Sequence, residues 1–203
     1  MLSAPRTVRS PRRTVARTAA KTARSPPRFS KSLALLSVPI PSDSNESDFK
    51  RQAEGIINEL IRTAPSTWKS LFKSLGLSDT PTILELIDTA LEKTAGGNDP
   101  GPKGSNVSGI PMPVRKEALK GVILSHEANY PSYNGIGLVR GMQLATQDRL
   151  PEREVKRMCA FFSRNRRYMD YSCFGNDDEK CKSWLAWLNW GGSDGREWSC
   201  ATK

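Results

Sequence analysis

The sequence has very little of the residue on which most catalytic triads and zinc sites depend. His126 is the only histidine among 203 residues. Triads use histidine as the proton carrier, and zinc sites use it as a ligand. A lone histidine within a helical stretch is usually an exposed or capping residue. We therefore expect no catalytic residue, no metal and no cofactor, and the sequence contains no sign of a small-molecule substrate.

The cysteines also lack the pattern of a metal site. All four lie near the C-terminus, and no two of them form a C-x-x-C pair. Their spacing does not match that of structural zinc sites. We expect reduced, partly buried thiols, although one bridge, between Cys173 and Cys181, is geometrically conceivable. The four residues are Cys159, Cys173, Cys181 and Cys200.

Long apolar runs are missing as well. A membrane-spanning helix needs roughly 20 consecutive apolar residues, and no stretch of this chain comes close. The short apolar run at residues 33–38 follows a basic stretch and does not resemble the apolar region of a secretory signal. We therefore expect no membrane span.

Acidic residues are absent from residues 1–42, a segment that holds nine basic ones. The other 22 basic residues are matched by 21 acidic ones, so this arm carries nearly all of the net charge of +10. It is rich in proline and has little apolar content before Leu33, so burial cannot offset the entropy lost on ordering. We predict a disordered basic arm. Its cations are Arg6, Arg9, Arg12, Arg13, Arg17, Lys21, Arg24, Arg28 and Lys31.

Nucleic acid is the partner that this arm suits best. Each cation placed on a phosphate releases counterions, which gives strong, salt-sensitive affinity that does not depend on sequence. Two other interpretations stay open. Mitochondrial and chloroplast transit peptides are also rich in arginine and serine and poor in acids, in which case residues 1–30 would be removed. The arm could also be a merely solvated tail.

The rest of the chain favours helices. Residues 43–95 contain three stretches with apolar residues at helical spacing, which predict a small three-helix bundle. Residues 96–110 are rich in glycine and proline and predict a linker. Residues 111–203 predict a four-helix module with a tryptophan-rich last helix. No segment alternates long enough to predict a strand, so the predicted fold class is all-α.

Tryptophans mark the centre of the C-terminal module. Four of the five lie between residues 184 and 198, and each buries about 200 Å² when packed. We expect a helix over roughly residues 178–190, stopped by two glycines, after which the chain turns and folds back. The predicted core anchors are Trp184, Trp187, Trp190, Trp198 and Phe162.

The helix that follows residue 151 carries a basic face. Its apolar residues fall on one side, and five cations collect on the other. An ordinary solvated face and a nucleic-acid surface both fit this pattern. Tyr168 and Tyr171 lie nearby and could stack on bases. The cations are Arg153, Lys156, Arg157, Arg164 and Arg167.

Three blocks of the C-terminal module resemble a helical module of tailed-bacteriophage and other large DNA virus proteins. Residues 137–145 read GLVRGMQLA, similar to VGVARARQL in that module. Residues 155–164 read VKRMCAFFSR, similar to VRRMxSFFxRH, and residues 184–195 read WLAWLNWGGSDG, similar to RIAWLLWGGDxG. The likeness covers residues 114–199. The chain departs from it at residues 165–170 and 178–183, where the module has HEVDKK and a Pro-Ser-Ala-Gly turn.

The resemblance implies a viral setting rather than a reaction, because the module has no established activity. Together with the basic arm, it predicts a virion-associated structural protein, of the minor capsid, head or cement type. Its arm would contact the genome or neighbouring capsid subunits. The alternative is a nucleic-acid-binding accessory protein of a viral or organellar system, located in a mitochondrion or chloroplast if the arm is a transit peptide.

Overall fold

The structure is a computed structural model that describes residues 45–94, 107–131, 135–177 and 181–201. This part of the chain is mostly helical, which confirms the predicted predominance of helix. The predicted disordered arm and most of the predicted linker lie outside the described residues. The α-helices are α1 (Glu46–Arg62), α2 (Ser66–Ser74), α3 (Ile83–Thr94), α4 (Met112–Glu127), α5 (Ile136–Thr146), α6 (Glu152–Arg164), α7 (Lys182–Asn189) and α8 (Gly192–Ala201).

The first three helices begin and end where local chemistry places them. The Asn45 side chain accepts a hydrogen bond of 2.9 Å from the backbone N–H of Asp48 and so caps α1. At the start of α3, the Glu85 carboxylate accepts a hydrogen bond from the Thr82 backbone N–H, and the Thr82 hydroxyl accepts one from the Glu85 backbone N–H. This reciprocal pair is a capping box. Gly76, at φ 81°, follows the end of α2.

Two short strands were not predicted. Strands β1 (Val107–Gly109) and β2 (Arg149–Pro151) pair antiparallel, with Ser108 opposite Leu150. Strands of three residues are too short for alternation to be visible in a sequence. They join the start of α4 to the start of α6 and do not change the helical character of the fold.

The four-helix count for the C-terminal module is not confirmed, because the described part of residues 111–203 contains five α-helices and a 3-10 helix at Arg166–Asp170. The fifth α-helix replaces the predicted turn. Gly191 (φ 96°) and Gly192 (φ 66°) reverse the chain within two residues, and the Gly195 N–H donates to the Gly191 carbonyl at 2.7 Å. Helix α8 therefore begins directly after α7 and carries Trp198.

Helix α4 has apolar residues on two sides, and each side faces a different core. Leu119 and Val122 pack with the buried residues of α1–α3, among them Trp68. Val114 and Ala118 pack with the residues of α6 and α7. Apolar side chains from both sides of the predicted linker thus share one core, and all the described residues belong to one compact unit.

Glycines allow the central helices to come close. A Cβ atom on Gly121 of α4 would lie 2.6 Å from the backbone nitrogen of Asn189. A Cβ atom on Gly141 of α5 would lie 2.8 Å from Cγ2 of Val122. Real side chains do not approach this closely, so only glycine fits at both positions.

All four cysteines are paired, which corrects the expectation of free thiols. Cys159 of α6 bonds to Cys200 of α8, with 4.9 Å between their Cα atoms. Cys173 bonds to Cys181 across 5.9 Å. The first pair could not be found from spacing, because 41 residues separate its members and only the fold brings α6 and α8 together. No described cluster of His, Cys, Asp and Glu could hold a metal ion.

Candidate nucleic-acid interface

The residues predicted to anchor the core pack on one another. Trp187 is fully buried and meets Phe162 edge-on, with 4.7 Å between the ring centroids. Trp184 is buried and meets Phe174 at 4.9 Å, while Trp190 and Trp198 are half-buried. The tryptophan helix thus meets the apolar face of α6 at Phe162, while α8 makes the more extensive contact with α6.

The predicted basic residues divide between described and undescribed parts of the chain. All nine cations of the arm lie outside the described residues. Four of the remaining five lie on α6, and Arg167 lies in the 3-10 helix. The structure shows that these five do not form one uniform surface.

The first half of the α6 face is internally paired. Lys156 lies 2.7 Å from Glu152, and Arg157 lies 2.8 Å from Glu154. Arg153 also approaches Glu154, at 3.4 Å. Each of these three cations therefore has an acidic partner, although two carboxylates serve all three, so a phosphate would have to compete with a carboxylate here.

The second half of the face is different. Arg164 and Arg167 are exposed, and so is Arg166, which sequence reasoning left out. Arg196 of α8 is also exposed, and none of these four arginines forms an ion pair with an acidic side chain in the described part of the chain. They are the arginines whose charge remains available to a ligand on this side of the molecule.

Two of these arginines line one cleft. It has a volume of about 420 Å³ and lies where the end of α6 meets α8. Arg166 and Arg196 line it beside Cys200, together with Glu197, the one acidic side chain among the described residues of its lining. No sequence signal relates Arg196 to the α6 face, because only the packing of α8 on α6 brings them together.

Aromatic side chains accompany the exposed arginines. The rings of Tyr168 and Tyr171 lie 6.0 Å apart. Tyr171 is 47% exposed and Met169 is 43% exposed. Of the described large apolar side chains, only Leu84 is also exposed to a comparable degree. The segment around the 3-10 helix therefore combines unpaired cations with uncovered apolar surface.

A buried arginine lies beneath the basic face. Arg140 of α5 is ion-paired with Glu154 and donates to the Gln143 side-chain carbonyl. Its guanidinium lies 5.6 Å from the centre of the Trp190 ring, which stacks on Phe161 at 4.4 Å. Burial lowers the pKa of Arg140, while Glu154 opposes that effect. Because Arg140 is inaccessible, it supports the surface and does not belong to it.

Sequence reasoning missed this ion pair, although one signal was present. Arg140 is the one charged residue in a mostly apolar stretch of α5 in which every residue from Gly137 to Thr146 is buried. A charge in such a run must be buried, and a buried charge needs a partner. The sequence does not say which acid that partner is.

A second buried arginine links distant parts of the chain. Arg115 of α4 lies 3.0 Å from Asp148 and 3.0 Å from Glu46, and its Nε donates to the Ile110 carbonyl. Hydrogen bonds from Arg115 and then Lys50 lower the pKa of Asp148. These contacts fasten the start of α1 to the segment before β2.

His126 is also held by structural contacts. Its Nε2 lies 3.2 Å from the Thr63 carbonyl oxygen, and its ring meets Trp68 edge-on at 5.3 Å. Burial lowers the pKa of His126, against the effect of the Thr63 carbonyl and of Glu127. The ring therefore links α1, α2 and α4.

A larger cleft of about 770 Å³ lies between α1, the start of α3 and the end of α5. Lys50 and Asp148 line it and bind each other at 3.1 Å. Arg149 lines it as well, and it is exposed and forms no ion pair with an acidic side chain in the described part of the chain, so only one of the two cations of this cleft is neutralised. None of the described helices is both long and apolar enough to cross a membrane.

Comparison with known proteins adds no relative. No family model matches the chain, and neither a curated protein nor a solved structure is detectably similar to it. The viral resemblance of residues 114–199 therefore stays a prediction.

Proposed function

We propose that this protein is a structural, nucleic-acid-binding component of a virus particle, with a helical body and a basic arm that lies on the genome or on capsid neighbours. The observation that carries the proposal is the contrast in charge between the two parts. Residues 1–42 hold nine cations and no acid, whereas 22 cations and 21 acids share the rest of the chain. Such an arm binds phosphate backbones without regard to sequence.

The described part of the body supports this division of roles. Several of its cations already have acidic partners, as Lys156 does in Glu152 and Lys120 does in Asp177 at 2.8 Å. Two arginines, Arg115 and Arg140, are buried. The arm is therefore the main reserve of uncompensated positive charge in the chain.

The disulfides favour a particle over a reducing compartment. Disulfides persist on virion surfaces and in other oxidising environments, and are rare in the cytosol. Here all four cysteines of the chain are joined in two bonds. The resemblance of residues 114–199 to a viral module supports the same setting.

The arm is tested by measuring affinity for DNA and for RNA as a function of salt. The intact chain is compared with a chain lacking residues 1–42, and with a full-length chain whose nine arm cations are replaced by glutamine. We expect a steep loss of affinity with salt in the intact chain and a much shallower one in both variants. Equal salt dependence in all three chains would contradict the proposal.

The setting is tested on purified particles. We expect the protein at a fixed copy number per particle, with residues 1–42 still attached when the intact mass is measured. A mature form that lacks about the first thirty residues would instead favour the transit peptide.

A further inference from the structure

We propose that the body carries a second nucleic-acid contact, specific for single strands, formed by residues 164–171 and Arg196. We call it the Arg–Tyr surface. The inference rests on the proposed function in one respect, since it concerns the same class of ligand. It differs in location and in the kind of strand that it binds.

The first argument is the available charge. Arg164, Arg166, Arg167 and Arg196 are exposed and have no acidic partner within the described part of the chain. The cations at the start of the same helix have such partners in Glu152 and Glu154. A phosphate would therefore displace no existing ion pair at the end of α6, but would have to compete with a carboxylate at its start.

The second argument is the exposed aromatic surface. Tyr171 is 47% exposed, although its ring lies 6.0 Å from that of Tyr168. Met169, two residues earlier, is also exposed. Proteins that bind single strands combine a cationic groove with aromatic rings on which bases stack. A base in a duplex is already stacked and paired, so it cannot use such a ring. Exposed tyrosine beside arginine thus favours a single strand over a duplex.

The third argument is preorganisation. The segment that bears the surface lies between Cys159 and Cys173, and both ends are covalently fixed. Cys159 is bonded to Cys200, one helical turn after Arg196, and Cys173 is bonded to Cys181. The first bond holds α8 on α6, which places Arg196 at the same cleft as Arg166. Fixing these groups before binding lowers the entropy lost on binding.

Two matched variants test the charge in the full-length, oxidised chain. Arg166→Ala/Arg196→Ala removes two cations from the Arg–Tyr surface, and Arg153→Ala/Lys156→Ala removes two from the paired half of α6. The probe is fluorescent oligothymidylate of about 40 nucleotides, long enough to contact arm and body together. The slope of log affinity against log salt is negative. We expect it to become shallower by roughly 1.4 in the first variant and to stay almost unchanged in the second.

Stacking is tested at one ring. We expect Tyr171→Ala to weaken binding of the oligothymidylate by roughly five- to tenfold with an unchanged salt slope, because stacking releases no counterion. Tyr171→Phe should keep most of the affinity. Binding to a duplex of the same length should be insensitive to both substitutions. Ultraviolet crosslinking of the wild-type chain to the single strand should label the peptide that contains Tyr168 and Tyr171.

Several outcomes would overturn the inference. Equal effects of the two double variants would mean that only bulk charge matters. Indifference to Tyr171→Ala, or crosslinks confined to residues 1–42, would remove the surface while leaving the basic-arm proposal intact. Conversely, if neutralising the arm left binding unchanged while Arg166→Ala/Arg196→Ala abolished it, the arm proposal would fail and the Arg–Tyr surface would stand. Circular dichroism of every variant controls for folding.

Discussion

Arg140 of α5 and Glu154 of α6 form an ion pair that is almost completely withdrawn from water, with 5% and 1% of their side chains exposed. Glu154 also accepts from Arg157 at 2.8 Å, so one carboxylate serves a buried and a surface arginine at once. The pair thereby connects the interior of the helical body to the first half of the α6 basic face.

Breaking this pair should destabilise the fold strongly. We expect Glu154→Gln to lower the free energy of unfolding by about 3–5 kcal/mol, because it leaves the Arg140 charge buried without a counter-charge. Denaturant unfolding followed by tryptophan fluorescence measures the loss. Glu152→Gln is the matched control, since its partner Lys156 is exposed and such pairs contribute about 0.5 kcal/mol or less. A similar loss in both variants would contradict the assignment.

Two glycines in helix interiors should respond in opposite ways to alanine. A methyl group on Gly55 of α1 would have no other atom within 4 Å, so Gly55→Ala should raise stability by up to about 1 kcal/mol through helix propensity. A methyl group on Gly121 would meet backbone atoms of Leu188 and Asn189 at 2.6–2.7 Å. We expect Gly121→Ala to lower stability by about 1–3 kcal/mol. Thermal unfolding of the two variants measures both changes. A loss of stability in Gly55→Ala would contradict the prediction.

His126 should make the fold sensitive to mild acid. Burial lowers its pKa in the folded state, so the folded protein holds the neutral ring. Below the unfolded value of about 6.5, the unfolded chain takes up a proton that the folded chain resists. The contribution of His126 to stability is therefore expected to be complete above that pH and to fall as the pH drops towards the lower folded pKa. Unfolding measured between pH 7.5 and 5 should show this fall, and His126→Gln should reduce it.

Glu117 acts in the opposite direction and supplies the control. Burial raises its pKa, against the effect of Lys120, so its folded form binds a proton more readily than its unfolded form. Lowering the pH from above the raised folded pKa of Glu117 towards its unfolded pKa should therefore favour the folded state. Glu117→Gln should steepen the fall in stability on acidification, whereas His126→Gln should flatten it. Identical pH profiles for both variants and the wild type would refute both assignments.

The two disulfides should contribute unequally. The Cys159–Cys200 bond closes a loop of 41 residues and the Cys173–Cys181 bond a loop of 8. Chain entropy alone predicts losses of about 4 and about 2.5 kcal/mol when the respective pairs are replaced by serine. Urea unfolding of the two double-serine variants tests the order. Thiol titration of the unfolded, unreduced protein should detect no free thiol, and the presence of four would contradict the pairing.

Much of the helical architecture was open to prediction because its signals are local. The apolar spacing of α1–α3 depends on residues a few positions apart, which a sequence displays directly. The same holds for Val155, Met158 and Phe162, whose spacing places them on one face of α6, and all three are buried. The helix after Gly191 was missed because a chain reversal by two left-handed glycines looks like a simple stop.

The candidate site was only half open to prediction. The basic face of α6 follows from helical spacing, and so do the pairs Glu152–Lys156 and Glu154–Arg157, whose members lie four and three residues apart on the same helix. Arg196 and Cys200 lie at the site because α8 packs on α6, and no local pattern encodes that packing.

What the sequence determined by itself is the distribution of charge, with its cation-rich first 42 residues, and the helical character of the rest, since both depend on composition and short-range spacing. The tertiary structure alone decided that Arg115 and Arg140 are buried and which acids they meet. It also decided which cysteines meet. Those outcomes depend on contacts between residues far apart in the chain, and such contacts exist only once the helices have packed.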